Sequence, residues 1–254
     1  MIYITGDCHS DFMRFEDGIF PEQREMTKED YVIICGDFGG VWQQENGRYI
    51  KQENRALDVL NERSFTTLFV DGNHENFDRL DAFPVKEWHG GKVHEIRPSV
   101  LHLMRGEVFE IEGKSFFAFG GASSHDIKDG ILERDDKGKW KKIARQWDLE
   151  GKMFRIDGIS WWKRELPSEE EKANGLCNLQ ERDNKVDYIL THCAPASITA
   201  ILGGGLYEQD YLTMYLEEIH QQVQFKKWFF GHYHVDKQVT AEDIALYEQI
   251  IKIL

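Results

Sequence analysis

Met1-Ile2-Tyr3-Ile4-Thr5-Gly6-Asp7-Cys8-His9 and Tyr31-Val32-Ile33-Ile34-Cys35-Gly36-Asp37 share one design: a short apolar, β-branched run that empties into a glycine and an acid. Thr67-Leu68-Phe69-Val70, leading to Gly72-Asn73-His74-Glu75, is a third instance. Runs that are apolar throughout, without alternation, read as strands covered on both faces. Between them, Phe12, Phe15 and Ile19 mark one helix face, and Ile50, Leu57 and Leu60 mark another. Strand, helix, strand predicts βαβ units and a largely parallel sheet.

Outward from this core the rhythm changes. His94–Ile96, Val100–Leu103, Val108–Ile111 and Phe116–Phe119 are closely spaced strands, with Glu112-Gly113-Lys114 as a hairpin turn. Residues 120 to about 185 differ again: charged and glycine-containing through Asp126–Lys142, then carrying Ile159-Ser160-Trp161-Trp162, and Ser168 with Glu171 is a capping-box signal for a helix running to about Arg182. Residues from about 121 to 175 therefore read as an insertion or cap on a single domain spanning 1–254. Strands resume at Tyr188-Ile189-Leu190-Thr191, followed by a helical stripe of Leu212, Tyr215, Leu216, Ile219 and Val223. Trp228–Phe230, Val235–Val239 and Ile244–Tyr247 read as closing strands.

The 254 residues suit one large domain, and 16 Phe, nine Tyr and seven Trp supply a sizeable core. With 31 Lys plus Arg against 45 Asp plus Glu, the formal charge is -14. That balance argues against sequence-independent binding to nucleic acid or to an anionic membrane, both of which need cationic contacts. It leaves room for a small anion in a locally positive pocket. Four cysteines, the absence of a basic start with a long apolar stretch, and no window near the roughly 18 apolar residues of a membrane span make a cytoplasmic protein with reduced thiols the expectation. The oligomeric state is not legible.

Five polar clusters each follow an apolar strand: Gly6-Asp7-Cys8-His9, Gly36-Asp37, Gly72-Asn73-His74-Glu75, Thr191-His192 and Gly231-His232-Tyr233-His234. In open α/β sheets ligands collect at the carboxyl ends of strands, so the five ends can converge. Asp, His and Asn side chains bind cations, and a preceding glycine allows the sharp turn and close approach. Asp7, His9, Asp37, Asn73, His192, His232 and His234 are seven candidate ligands, more than one ion usually draws from protein. Two divalent ions, one carboxylate bridging them, account for the number. Their charge of +4 exceeds the -2 of Asp7 and Asp37, and even after a bridging hydroxide about +1 remains to attract phosphate. Mixed His, Asp and Asn ligation suits Mn, Fe or Zn better than Ca.

Taken together, Asp7-x-His9, Gly36-Asp37, Gly72-Asn73-His74-Glu75, His192 and Gly231-His232-x-His234 resemble the signature of the calcineurin-like metallophosphoesterases. The resemblance implies a four-layer αββα sandwich of two mixed sheets and a binuclear metal centre. Asp7, His9, Asp37 and His234 would hold the first ion; Asp37, Asn73, His192 and His232 the second. It makes His74 the catalytic histidine that contacts phosphate and assists the leaving group. The implied activity is hydrolysis of a phosphoester by a metal-bound hydroxide. A small phosphorylated molecule or nucleotide is the expected substrate, mono- or diester. A nuclease of the same family, or a binding module that has lost catalysis, are the alternatives; the acidic charge weighs against nucleic acid, and the complete ligand set against the binding module.

Several features depart from that pattern or compete with it. Gly39-Gly40-Val41 stands where the branch resembling Ser/Thr protein phosphatases has an acid–Arg pair, and Ser10 replaces the glycine expected after Asp-x-His. A protein-phosphatase reading is thereby weakened, and the partner of His74 is open, with Asp71 as a candidate. Arg48 is the candidate phosphate contact, with Arg79 and Arg14 beside it, and His125 is a candidate for the site rim. Cys8 to Arg14 has the Cys-x5-Arg spacing of a cysteine phosphatase loop, but Asp11 within it and Asp7 beside it would repel phosphate. Trp161-Trp162 offers a stacking surface or, more simply, one ring packed into the insertion. Gly203-Gly204-Gly205 reads as a flexible loop.

Overall fold

A computed structural model describes residues 1–204, 207 and 209–254. Strands β1 (Ile2–Thr5), β2 (Tyr31–Cys35) and β3 (Thr66–Val70) run parallel at the centre of a seven-stranded sheet. Joining them are β4 (Val85–Trp88), β5 (Gly91–Arg97) and β6 (Val100–Leu103) on one side and, across β1, the terminal β15 (Ile251–Lys252). A second sheet contains β7 (Glu107–Ile111), β8 (Lys114–Phe119), β11 (Tyr188–Thr191), β12 (Lys227–Phe230), β13 (Lys237–Gln238) and β14 (Asp243–Ala245). In it β8, β11, β12 and β14 are parallel, and β7 and β13 flank them antiparallel. Both sheets are mixed.

The side-chain period of two sorts these strands into layers. Ile2, Ile4, Ile33, Cys35, Leu68 and Val70 from the first sheet pack against Phe109, Phe116, Ala118, Leu190 and Phe229 from the second. Their alternates point outward. Val32, Ile34 and Phe69 meet Leu57 and Leu60 of α1 (Ile50–Glu62). Phe117, Phe119, Ile189, Trp228 and Phe230 meet α4 (Glu169–Gln180), α5 (Ala196–Gly203) and α6 (Tyr211–Gln222). Three stacked apolar layers separate four layers of backbone, helix–sheet–sheet–helix. The near-continuous apolar runs follow from this, since each central strand buries both faces.

Some local expectations change. Phe12, Phe15 and Ile19 do not lie on one helix: a 3₁₀ turn, Met13–Phe15, covers only part of the stretch and a second, Pro21–Glu25, follows it, and Ile19 is 60% exposed while Phe15 is fully buried. Gly18 and Pro21 leave too few residues to propagate an α-helix. The β7–β8 hairpin closes on Glu112 and Gly113, both at positive φ, so Lys114 already belongs to β8. The capping box of Ser168 and Glu171 is formed. Residues 121–175 contain the two-stranded parallel ribbon β9 (Ile131–Leu132) and β10 (Arg155–Ile156), helix α3 (Trp140–Leu149), a 3₁₀ turn at Lys163–Glu165 and the first half of α4. The short α2 (Phe77–Leu80) follows the third polar cluster. Gly203 ends α5 and Gly204 adopts the left-handed conformation at its C-terminus, in place of a flexible loop; Gly205 lies outside the described residues. No helix among the described residues is long and apolar enough to cross a membrane.

Candidate metal centre

All five polar clusters leave the carboxyl ends of parallel strands: β1, β2 and β3 from one sheet, β11 and β12 from the other. The carboxyl ends of the two face-to-face sheets thus open onto one site. Asp7, Asp37, Asn73 and His192 are buried, His9 and His232 are partly buried, and His234 is exposed. Donor atoms of Asp7, His9 and His234 lie within 4.8 Å of one another, as do those of Asp7, Asp37 and His192. His234 Nε2 is 3.1 Å from Asp7 Oδ2 and 3.1 Å from His9 Nε2; His192 Nε2 is 3.2 Å from Asp37 Oδ1. The His232 ring lies 4.9 Å from the His192 ring, and His232 N–H donates to Asp7 Oδ1.

The local backbone explains the glycines. A Cβ on Gly36 would collide with the His192 ring, and one on Gly72 with the Asp37 carboxylate. His9, Ser10, Asp37, His232 and His234 all have positive φ, an uncommon conformation for non-glycine residues that clusters at functional sites. The strained loops are knitted together: Cys8 and His9 N–H donate to Asp37 O, and Gly231 N–H to His192 O. Ser10 takes the left-handed conformation that a glycine would adopt there, its hydroxyl donating to Gly39 O.

Two buried carboxylates dominate the electrostatics. Burial favours the neutral acid at Asp37, yet His192, His74 and His9 hold it well below the ordinary carboxylate range. Burial alone would lower His192; Asp37 and Asp7 instead bring it up to about 10. Burial lowers His232. Such a site draws positive charge. Asn73 Oδ1 and His192 Nε2 are buried with no hydrogen-bond partner, which is the state expected of atoms shaped to face a cation. The donors present therefore fit divalent metal.

His74 lies beside this cluster. Its N–H donates to Asp37 Oδ1 at 2.8 Å, and its ring is 4.7 Å from that of His9. Its position also brings it within reach of a cation shared with His9 and Asp37. Its Nε2, however, lies 3.0 Å from Arg155 Nη2. Arginine only donates, so Nε2 accepts and the ring is neutral with its proton on Nδ1. Burial, and then Arg155 against the opposing pull of Asp37, lowers His74 to about 4.

The side-chain partner of His74 is therefore a cation, not Asp71. Asp71 is committed to Arg105 and His102, which hold its carboxyl below the usual range despite burial. Nor do the three arginines picked from the sequence line the centre. Arg48 is exposed and packs over Tyr49; Arg14 donates to the carbonyls of Asp7 and Tyr247; Arg79 pairs with Glu53. The arginine that stands beside His74 is Arg155, 81 positions away. His125 is at the rim, its ring 4.5 Å from that of His232. Trp162 is the packed ring of its pair, bonded to Asp78 and set edge-on to Trp42. Trp42, whose ring lies 5.6 Å from that of His74, is a further neighbour. Glu165 and Ser124 complete the surroundings of Asn73. Arg155, Glu165 and Ser124 have no spacing relation to the five clusters, because they arrive from a separate segment.

Cys8 is buried, its thiol donates to Gly6 O, and burial pushes it up to about 12. A thiol so protonated is no nucleophile. Iodoacetamide is expected to label exposed Cys177 and leave turnover intact; parallel loss of activity with labelling at Cys8 would restore the cysteine reading.

The sequence profile described as calcineurin-like phosphoesterase matches residues 1–236. Among curated proteins, lariat debranching enzyme A of Xenopus laevis is 22% identical over 92% of the chain, and the lariat debranching enzyme of Drosophila melanogaster 24% over 92%. The human lariat debranching enzyme is 24% identical over 52% of the chain. The chain spans 42% of the length of the Xenopus and Drosophila proteins and 25% of the human one.

Proposed function

The chain belongs to the calcineurin-like phosphoesterase family, a family of metal-dependent phosphoester hydrolases, and from that premise we propose that it cleaves a small phosphodiester at a binuclear metal centre. The observation that carries the reading is the gathering of Asp7, His9, Asp37, His192 and His234 donors within 4.8 Å in overlapping groups at strand ends, with the His232 ring against His192, the unpartnered Oδ1 of Asn73 in the adjoining loop, and His74 beside them. Two divalent ions, Mn, Fe or Zn by the mixed donor set, would supply Lewis acidity and an activated water when bound. Asp37 faces His192 at 3.2 Å and His9 at 3.7 Å and would be the carboxylate shared by the two ions. His74, neutral and with Nε2 engaged by Arg155, donates through its ring N–H to the departing oxygen. Residues 121–175 act as a cap that brings Arg155 to the phosphate. Four unpaired thiols fit a reducing, cytoplasmic setting.

Charge favours a diester over a monoester. Arg155 is the guanidinium beside His74, and it is already offset by Asp126 at 2.7 Å and faces Glu165 at 3.5 Å. A phosphomonoester carries about -1.5 to -2 near neutrality, whereas a diester carries a single charge and asks less of the site. With Mn added, bis-p-nitrophenyl phosphate is expected to turn over faster than p-nitrophenyl phosphate, and EDTA to stop both. Preference for the monoester would sink the diester reading; EDTA-resistant turnover would sink the metal centre.

Similarity to lariat debranching enzymes favours a second reading, a lariat nucleic acid as the diester. The formal charge of -14 opposes it for long chains but not for a short branch. Competition between a lariat oligonucleotide and a linear dinucleotide separates the two.

A further inference from the structure

We propose that Glu165 is a positioning residue for the catalytic loop, orienting the amide of Asn73 through Ser124 and the ring of His74 through Arg155. The inference rests on the metal-centre reading and adds to it three residues from the inserted segment. Asn73, Ser124, Arg155 and Glu165 are 3%, 6%, 7% and 2% exposed, so they bond to one another and to nearby backbone, leaving only Asn73 Oδ1 and Glu165 Oε1 of their fully buried side-chain atoms without a hydrogen-bond partner.

One arm runs to the metal ligand. Ser124 Oγ donates to Glu165 Oε2 at 2.7 Å, which spends its one proton. Its lone pairs face Asn73 Nδ2, 3.4 Å away. Burial raises Glu165 to about 8, but Oε2 also accepts from the Ser124 backbone N–H and Oε1 faces the Arg155 guanidinium, so both oxygens stand as acceptors and set the direction of the relay. The Asn73 amide must then present N–H₂ to Ser124 and leave Oδ1 for a cation; the flipped amide would offer a cation only hydrogens. Groups that hold a ligand from behind in this way raise metal affinity without touching the ion.

The other arm runs to His74. Glu165 Oε1 lies 3.5 Å from Arg155 Nη1, while Arg155 Nη2 donates to His74 Nε2. Further donors of the same guanidinium reach Asp126 and the carbonyl of Ser160. The guanidinium is fixed in its plane before substrate arrives.

Glu165 itself cannot drift. The carbonyls of Arg164 and Glu165 accept from Arg105 Nη2 at 2.8 and 3.4 Å, and Arg105 is clamped to Asp71, two positions before Asn73. Gly121, at φ 97°, lets the backbone pass against the Glu165 carbonyl, where a Cβ would collide. The insertion and the end of β3 thus form one rigid unit around the site.

The two arms predict different losses. Calorimetric titration of the metal-stripped protein with MnCl₂ is expected to resolve two ions in the wild type. In Ser124→Ala one of the two should weaken by roughly 10–100-fold, and Ser124→Thr, which restores the hydroxyl, should recover it. Arg155→Gln should keep both Mn affinities and instead steepen the dependence of kcat on leaving-group pKa. Wild-type protein that binds no Mn removes the metal-centre reading. Wild-type protein that binds two, with Ser124→Ala binding both unchanged, overturns the relay alone, as does metal loss in Arg155→Gln.

Discussion

His74→Ala is expected to keep both metal ions and lose on the order of 10²–10⁴ in kcat, the range for removal of a proton-donating group from a transition state. The loss should be smallest for p-nitrophenolate, which departs without help, and largest for alkoxide leaving groups. Both parts follow from the same contacts. His74 stands next to Asn73 and receives Arg155 on Nε2, so the ring has one nitrogen, Nδ1, left to donate, and the ring as a whole lies beside His9 and within reach of Asp37. The form at work is neutral, because burial and Arg155 hold the imidazole down at about 4. An imidazolium would lose its place against a guanidinium. The acid limb of kcat/KM should therefore show no step near pH 6.5, the ordinary histidine value. Wild-type rates on alkyl diesters, or metal loss measured by elemental analysis, would remove the role from His74.

The centre was legible in the sequence to the extent that each donor is local to a buried strand. Gly36-Asp37 follows Tyr31–Cys35 directly, and the strand can end nowhere else once Gly36 must pass under His192. Continuous apolar character identified β1, β2, β3, β11 and β12 because both faces of each are covered, and the same fact forces four layers. Edge elements left no such mark. β4 exposes Val85, Lys86 and Glu87, and β15 is a two-residue pairing to β1; neither rises above loop character in composition. Phe12, Phe15 and Ile19 have helical spacing, but a 3₁₀ turn buries Phe15 equally well and leaves Ile19 in solvent. The same limit applies to the cation near His74. Arg14, Arg48 and Arg79 were the candidates within reach along the chain, whereas Arg155 is supplied by the β9–β10 ribbon of the insertion. Contacts between segments some 80 residues apart have no period to read.

Asp37→Asn is expected to have the largest effect of all, dropping turnover by at least on the order of 10³, since one well-placed charge-stabilising donor is worth about 10²–10³ and this change weakens two cations together. The substitution is isosteric, and the amide oxygen can still accept from His74 N–H, so the loop conformation has reason to survive. What disappears is charge. Asp37 is 2% exposed and is the carboxylate that faces His192 at 3.2 Å on one side and His9 at 3.7 Å on the other. Asp7 remains, closest to His234 at 3.1 Å and 3.9 Å from both His9 and His192, but it is then the single carboxylate for both ions. One carboxylate cannot balance two dications in a buried site, where each unpaired charge is costly. Elemental analysis should fall from two ions per chain to at most one, and excess Mn should restore little activity. Asn73→Ala, by contrast, removes a neutral ligand from one ion only and should be rescued in part by high Mn. If Asp37→Asn retains two ions, the bridge is elsewhere, and Asp7 becomes the carboxylate to replace next.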